Sequence, residues 1–432
     1  MSTIQTQIAE IARKHPNEGL TSLNQYLTAD WLKESHRQLR KRAAAGIDGK
    51  TTEAYGRELE QRLPELIAEI KTGRYHALPV RRGYIPKPGK DEKRPLGIPA
   101  VEDKTVQKAL TRILEPIYEQ EFYAFSYGFR PGRGALDATR ALHAELRKGR
   151  THWIVEVDIR KFFDTLDHGH LRAFLRQRVR DGVMLRLIDK WLKAGVMEAG
   201  AWQATEEGTP QGGIISPLLA NLYLHEVLDK WYVTQIESRL KGRSFLIRYA
   251  DDFVMGFERE EDARRVMEVL PKRFGRFGLS LNMQKTRLVD FRRPGPSAKP
   301  GSFDFLGFTH YWGSSRNGRS IHKLKTAKDR LARSCRAVWE WCRKHLHLSI
   351  PEQCRWLNWK LRGHYGYYGV SHNLRALRQY YLRVRWTWRR WLNRRGGRTP
   401  VNWESFAAML IRHPLSSPRI IHNLYRPCES SV

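Results

Sequence analysis

Three aspartates occupy positions that suit phosphoryl-transfer chemistry. Asp158 ends a run of alternating apolar residues, and Asp251 and Asp252 lie between two further apolar runs. Carboxylates that converge from strand ends supply the hard oxygen ligands that a pair of magnesium ions requires. Such ions activate an attacking hydroxyl and neutralise a departing pyrophosphate. The competing interpretation is that Asp-Asp is ordinary turn chemistry and that Asp158 caps a strand.

The elements that must position these aspartates follow from apolar periodicity. Residues 153–158 alternate with period two, and residues 245–248 and 253–257 predict a hairpin around residues 249–252. Because successive side chains of a strand point to opposite sides, we expect Asp251 to face Asp158 and Asp252 to contribute more weakly. Helical periodicity covers residues 59–70, 106–118, 171–179, 217–231 and 263–274. The irregular order of helices and strands predicts an α+β fold with an antiparallel sheet.

The composition indicates a folded protein with a polyanionic partner. The 432 residues include 77 Lys or Arg against 45 Asp or Glu, a net charge of +32, yet 41% are hydrophobic. This length predicts about two to four domains. We expect no membrane span and no secretory leader, and the spacing of the four cysteines favours reduced thiols over disulfides or zinc. These features predict a soluble protein of the cytoplasm. The 16 histidines are scattered and predict structural or surface roles.

The charge is concentrated towards the carboxyl end. Residues 311–432 contain 25 Lys or Arg and five acids, so they hold +20 of the net charge and the first 310 residues only +12. Residues 292–301 are rich in Pro and Gly and predict a loop before a boundary near residue 310. Residues 355–398 contain 12 Lys or Arg, no acid and many Trp and Tyr. This pattern predicts salt-sensitive binding to a polyanion, with most of the aromatic residues in packing. The excess of Arg over Lys is consistent with recognition of folded RNA.

An ordered series of motifs resembles the sequence blocks of group II intron-encoded reverse transcriptases, also called maturases. The blocks are residues 46–51 (GIDGKT), 94–99 (RPLGIP), 125–133 (FSYGFRPGR), 157–164 (VDIRKFFD), 208–213 (GTPQGG), 249–252 (YADD), 279–285 (LSLNMQK) and 305–308 (FLGF). Residues 359–369 (WKLRGHYGYYG) are similar to the maturase segment of the same family. The similarity extends over roughly residues 30–395.

This resemblance implies a right-hand polymerase with fingers, an antiparallel palm and an α-helical thumb. We expect an amino-terminal extension over 1–45, fingers and palm over 46–310, the thumb or maturase domain over 311–395 and a short basic tail over 396–432. Asp158, Asp251 and Asp252 would be the catalytic residues that bind two Mg²⁺, and Phe163 would select deoxynucleotides by excluding a 2′-hydroxyl, although an aromatic after a strand is also a usual core residue. Further nucleotide-binding candidates are Lys87, Arg94, Gln211 and Lys285; for these, solvated loop or surface positions are the alternatives.

The resemblance also implies the partners. They would be the host group II intron RNA, an RNA template, a DNA primer, dNTPs and target DNA, with no membrane. Candidate RNA contacts are Arg362, Arg378, Arg385, Arg389, Arg390, Arg394 and Arg395. Because no paired cysteines and histidines follow the thumb, we expect the short form without an endonuclease module. Two alternatives remain open: a related bacterial enzyme of phage defence or CRISPR adaptation, and an RNA-binding splicing cofactor without polymerase activity.

Overall fold

The computed structural model describes residues 2–86, 93–198, 201–204, 207–208, 212–295, 301–315, 317–395 and 401–425. Its α-helices are α1 (Thr3–Lys14), α2 (Ala29–Arg37), α3 (Thr52–Thr72), α4 (Val101–Tyr118), α5 (Ala135–Arg147), α6 (His168–Arg178), α7 (Gly182–Lys193), α8 (Ser216–Leu224), α9 (Glu260–Gly275), α10 (Lys328–Lys344), α11 (Ile350–Tyr368), α12 (Leu374–Leu392) and α13 (Trp403–Arg412). The π-helical turns His225–Asp229 and Tyr232–Ile236 continue α8. None of these helices has the length and hydropathy of a membrane span.

Within these described ranges, three small sheets accompany the helices. The strands are β1 (Val80–Pro86), β2 (Lys93–Ile98), β3 (Trp153–Val157), β4 (Val196–Glu198), β5 (Ala201–Gln203), β6 (Ser244–Tyr249), β7 (Asp252–Phe257), β8 (Arg287–Asp290), β9 (Ser302–Phe305), β10 (Phe308–Ser314) and β11 (Ser320–Thr326). Their orders are β2-β1-β4-β5, β6-β7-β3-β8 and β11-β10-β9. All strand pairs are antiparallel except β1 with β4, so the α+β prediction is confirmed.

The central sheet, β6-β7-β3-β8, is buried on both faces. Along β3, Val155 and Val157 pack into the large amino-terminal core, whereas Ile154 packs into a second core on the other face. Neighbouring β7 alternates in the same way, with Met255 in the first core and Val254 in the second. Side chains of period two therefore fix this sheet between two apolar layers.

The amino-terminal helices belong to the same core as the central sheet. Ile8 of α1, Trp31 of α2 and Leu110 of α4 are all members of the large core. Residue 310, the expected boundary, lies within β10, and β9 to β11 pack on the second face of the central sheet through Phe303 and Trp312. The helices α10 to α13 have a core of their own, to which Phe406 of α13 belongs. We call these four helices the helical unit.

Four histidines gather where β10, β11, α5 and the α11–α12 loop meet. His322 Nδ1 lies 2.8 Å from His143 Nδ1, and His322 Nε2 lies 3.1 Å from His310 Nδ1. His372 lies beside His143 and hydrogen-bonds the Tyr425 hydroxyl at 2.5 Å. Burial, followed by the charges of neighbouring histidines, lowers the pKa of His143 to about 4 and of His310 to about 3, and lowers that of His322 far below its usual value. We call these residues the histidine chain.

Candidate active site and nucleic-acid interface

The register of the central sheet brings the three aspartates to one edge. The last ladder pair of β3 and β7 is Val157 with Phe253, and continuing this register by one residue sets Asp158 against Asp252. Tyr249 pairs with Asp252, so Asp251 lies in the two-residue turn between β6 and β7. Directly opposed residues have Cβ atoms about 5 Å apart. Asp252 therefore shares this edge, and the charge of Asp158 acts on both Asp251 and Asp252. That Asp251 faces Asp158 and that Asp252 contributes more weakly stays a prediction.

A buried network supports the hairpin turn from below. Arg248 has no exposed surface and donates to both carboxylate oxygens of Asp229, at 2.8 and 2.5 Å, and to the Ala250 carbonyl at 3.1 Å. Asn221 accepts from Arg248 at 3.0 Å and donates to the Gly128 carbonyl at 2.6 Å. Ala250 has a φ of 55°, which is unusual for a residue with a Cβ. The network therefore holds a strained turn in place.

The loop of residues 125–128 packs along the hairpin. Arg248 N donates to the Phe125 carbonyl and Tyr127 N donates to the Arg248 carbonyl, both at 2.9 Å. A Cβ on Gly128 would lie 2.3 Å from Ala250 N, a distance that no real contact allows. The FSYGFRPGR block thus contacts the YADD block directly, as expected for two motifs of one site.

Burial and mutual repulsion disfavour the ionised forms of Asp251 and Asp252, the two aspartates of the hairpin. Burial, followed by the charges of Asp251 and Asp158, raises the pKa of Asp252 to about 6, although Arg330 and Lys285 oppose this change. Asp252 is an exposed residue, and it lines a cavity of about 140 Å³ together with Arg330. Burial, followed by the charge of Asp158, also raises the pKa of Asp251, and Arg94 opposes it.

Asp158 makes two contacts to the segment before β8. Its Oδ2 accepts from Lys285 Nζ at 3.1 Å and from Asn282 Nδ2 at 3.0 Å. The backbone supports this position, because Asn282 N donates to the Asp158 carbonyl at 2.8 Å. Lys285, which we expected near the reacting groups, therefore contacts one of the three aspartates directly.

The donor set fits a hard divalent cation in its chemistry. Three carboxylates supply only oxygen atoms, the ligands that Mg²⁺ prefers. Their mutual repulsion is of the kind that a bound cation relieves. In the part of the chain that the structure describes, no three histidine, cysteine or acidic side chains converge closely enough to enclose an ion. Binding of Mg²⁺ by all three aspartates remains a proposal.

Phe163 lies next to the glycine-rich block. It belongs to the 3₁₀ turn Phe162–Asp164, is half-buried, and packs edge-on against Phe162 at 5.4 Å between ring centroids. Gly208 has a φ of 84°, and a Cβ there would lie 2.8 Å from the Phe163 carbonyl oxygen. A Cβ on Gly212 would lie 2.5 Å from the Gly97 carbonyl oxygen of β2. The absence of a side chain thus lets Gly208 approach the Phe163 turn and Gly212 approach β2.

Two of the predicted nucleotide contacts lie outside the described residues. These are Lys87 and Gln211. Arg94 is described and lies exposed on β2, close enough to influence the charge of Asp251. Sequence reasoning missed three residues around the aspartates, namely Arg248, Asn282 and Arg330. Two of these left a signal: Asn282 lies within the LSLNMQK block, and Arg248 is a charged residue inside the mainly apolar strand SFLIRY.

The predicted RNA-binding arginines lie on the helical unit in different environments. Arg389 and Arg390 cover tryptophan rings, with Arg389 4.3 Å from the centroid of Trp403 and Arg390 4.9 Å from that of Trp339. Arg394 and Arg385 likewise lie over Trp391 and Tyr381, respectively. Arg362 donates to Ser416 Oγ at 3.1 Å, and Arg395 donates to the Leu346 and Leu348 carbonyls. Arg378 is exposed. Several of these side chains therefore also stabilise the helical unit.

Comparison with known proteins agrees with this arrangement. The family model of the reverse transcriptase (RNA-dependent DNA polymerase) matches residues 85–310. Protein YkfC of Escherichia coli strain K12 is 35% identical over 349 residues, which cover 71% of this chain and 87% of YkfC. Group II intron-encoded protein LtrA of Lactococcus lactis subsp. cremoris is 38% identical over 239 residues, 55% of this chain and 39% of LtrA. Nuclear intron maturase 4, mitochondrial, of Arabidopsis thaliana is 28% identical over 142 residues, 32% of this chain and 17% of that protein.

The family match includes every catalytic candidate. Asp158, Asp251 and Asp252 all lie within the matched residues, and the match covers more than half of the 432-residue chain. The chain therefore belongs to the group II intron reverse transcriptase and maturase family, and it is an RNA-directed DNA polymerase.

Proposed function

We propose that this RNA-directed DNA polymerase extends a primer with two Mg²⁺ held by Asp158, Asp251 and Asp252, and that it also acts as a maturase on its group II intron RNA. The observation that carries the catalytic part is the register of the central sheet, which sets Asp158 opposite Asp252 at the edge where the turn carries Asp251. In a right-hand arrangement this sheet would be the palm, β1 and β2 would belong to the fingers, and the helical unit would be the thumb.

When bound, the ions would activate the primer 3′-hydroxyl and neutralise the leaving pyrophosphate. The residues of the chain align the reactants around them, because phosphoryl transfer depends mainly on positioning and charge stabilisation. Lys285 holds the Asp158 carboxylate at 3.1 Å and adds a positive charge beside it. Arg330 opposes the negative charge of Asp252 from the first helix of the helical unit.

The incoming nucleotide would lie between the Phe163 turn and β2. The Phe163 ring would pack under the sugar and leave no space for a 2′-hydroxyl. Lys87 and Arg94 would bind the triphosphate, since an ammonium and a forked guanidinium both suit phosphate oxygens. Gln211, in the glycine-rich block, would lie beside the nucleotide and template.

The maturase activity would be a matter of binding rather than chemistry. The basic helical unit would bind folded intron RNA in preference to its unfolded forms and so shift the RNA towards its splicing-competent state. The similarity to group II intron-encoded protein LtrA and to nuclear intron maturase 4 supports this proposal. The same ribonucleoprotein would promote retrohoming into target DNA in the bacterial cytoplasm.

The test separates the two activities. We expect Asp251→Ala to abolish cDNA synthesis on an RNA template with an annealed DNA primer, and to leave affinity for the intron RNA within about twofold. Asp290→Asn is the matched control, because Asp290 is an exposed aspartate of the same sheet that pairs with Arg292. Joint loss of synthesis and RNA binding would contradict the division of labour. A wild-type protein that binds RNA and promotes splicing but makes no cDNA would favour the splicing-cofactor alternative.

A further inference from the structure

A groove of about 890 Å³ lies between two helices of the helical unit. Its walls follow one face of each helix at spacings of three or four residues, with Leu331 and Trp339 on α10 and Leu382 and Trp386 on α12, and Trp403 of α13 also lines it. The core of the helical unit uses other faces of the same helices, through residues such as Val338, Leu377, Tyr380, Val384 and Trp388. Leu331 and Trp339 also pack against this core, whereas Leu382, Trp386 and Trp403 are not among its members. We call this feature the tryptophan groove.

Large apolar side chains are unusually accessible in the groove. Leu382 is 57% exposed, Trp403 50% and Trp386 39%. Trp339 and Trp386 stack on each other at 5.9 Å between ring centroids with 23° between their planes. An exposed group of large apolar residues of this kind marks a binding surface.

The charge of the tryptophan groove selects the class of ligand. Lys328, Arg336 and Arg383 line it, and none of the described residues that line it is Asp or Glu. Arg390 lies over the rings of both Trp339 and Trp386, at 4.9 and 5.2 Å from their centroids. A ligand that fits this surface must therefore present flat apolar faces together with negative charge.

We propose that the tryptophan groove binds an unpaired segment of RNA, a proposal that rests on the RNA-binding role given above. Bases would stack on Trp386 and Trp403, and Lys328, Arg336 and Arg383 would contact the phosphates. Unpaired bases expose the flat faces that indole rings accept, whereas bases within a helix are already stacked on each other. The groove thereby adds contacts to bases to the phosphate contacts expected of the surrounding arginines.

The experiment compares two ligands of equal charge. Full-length protein is titrated with a 12-residue oligoriboadenylate and with an abasic chain of the same length at fixed salt. We expect Trp386→Ala and Trp403→Ala each to weaken binding of the oligoriboadenylate about 5- to 100-fold. Binding of the abasic chain should change by less than twofold. Trp386→Phe should restore most of the affinity, which separates stacking from a folding defect.

Trp359→Ala is the matched control, since Trp359 is 68% exposed on α11 and does not line the groove. It should leave both affinities unchanged. An unaltered preference for the base-containing chain in the Trp386 and Trp403 variants would overturn the proposal. The proposal would also be overturned if an acidic amphipathic Leu/Glu peptide bound more tightly and displaced the RNA probe, because the groove would then suit a protein partner. Absence of cDNA synthesis by the wild-type protein would count against the polymerase proposal alone.

Discussion

Arg248 and Asp229 form an ion pair that is entirely shielded from solvent, directly below the turn that carries Asp251. Burial by itself would raise the pKa of Asp229, but the charge of Arg248 and the contact with His225 outweigh it, so that the pKa is lowered. The same guanidinium also binds the Ala250 carbonyl. One pair thus connects the stability of the core with the geometry of the hairpin.

Breaking this pair should unfold the protein more readily. We expect Asp229→Ala to lower the free energy of unfolding by about 3–5 kcal/mol, because it leaves a buried charge without its partner. Arg248→Lys should retain the charge but remove the forked hydrogen bonds to Asp229 and Ala250, and so reduce cDNA synthesis. Urea denaturation and primer extension measure the two effects. Arg292→Lys, in an exposed pair with Asp290, should leave the free energy of unfolding nearly unchanged; equal losses in both pairs would contradict this account.

Phe163 should determine sugar selectivity. We expect Phe163→Ala to improve ribonucleotide incorporation relative to deoxynucleotide incorporation by roughly 10- to 100-fold, because it removes the bulk that would meet a 2′-hydroxyl. Single-nucleotide insertion with dNTP and rNTP gives the ratio of kcat/KM values. Phe163→Tyr retains the ring and serves as the control. Unchanged selectivity in the alanine variant would assign Phe163 to packing against Phe162 alone.

Lys285 should matter for the reaction and little for folding. Its pair with Asp158 is partly exposed, so Lys285→Gln should change the free energy of unfolding by less than about 1 kcal/mol. The rate of primer extension should fall at least about tenfold, since the variant has no fixed charge beside the reacting phosphate. Lys241→Gln removes a comparable exposed pair with Glu261 and should change neither quantity. A wild-type rate in the Lys285 variant would remove this residue from the site.

The histidine chain should make stability dependent on pH. In the unfolded chain histidine titrates near pH 6.5, whereas His143, His310 and His322 remain neutral in the fold until much lower pH. The unfolded state therefore binds more protons as the pH falls below about 6.5, and the free energy of unfolding decreases. Between pH 7.5 and 5.5 the decrease should reach up to about 4 kcal/mol for three such groups.

Urea denaturation at several pH values measures this decrease. His322→Gln, which does not titrate in this range, should reduce the slope of stability against pH, whereas the control His76→Gln, at an exposed position, should leave it unchanged. A slope that is the same in all three proteins would refute the assignment.

Arg389 and Arg390 should contribute to the salt dependence of RNA binding. Their reversal to Glu should weaken binding most at low salt, and the slope of log affinity against log salt should decrease by about 0.7 for each phosphate that the variant no longer neutralises. Arg264→Glu on α9, a residue paired with Glu260, is the control. Circular dichroism must show intact helices, because Arg389 also donates to the Val401 carbonyl. Binding that does not depend on salt would contradict the phosphate contacts.

Local patterns predicted most of the central sheet but not its register. The alternation in residues 153–158 and 253–257 corresponds to β3 and β7, because each strand must present apolar side chains to two cores. The pairing of Val157 with Phe253, which sets Asp158 against Asp252, is a contact between segments distant in sequence, and no local pattern encodes it. The histidine chain was missed for the same reason, since His143 and His322 meet only through the packing of α5 on β11.

Gly128 illustrates how close packing restricts the substitutions that a position accepts. Any side chain there would force Ala250 to move, and with it the turn between Tyr249 and Asp252. In a library of all single amino acid replacements, position 128 should tolerate only glycine. Gly132, which has open space around its Cα, should accept changes limited only by its positive φ. Such a map would thus show that packing against the turn that carries Asp251 restricts substitutions at a loop residue more than a hundred positions earlier in the chain.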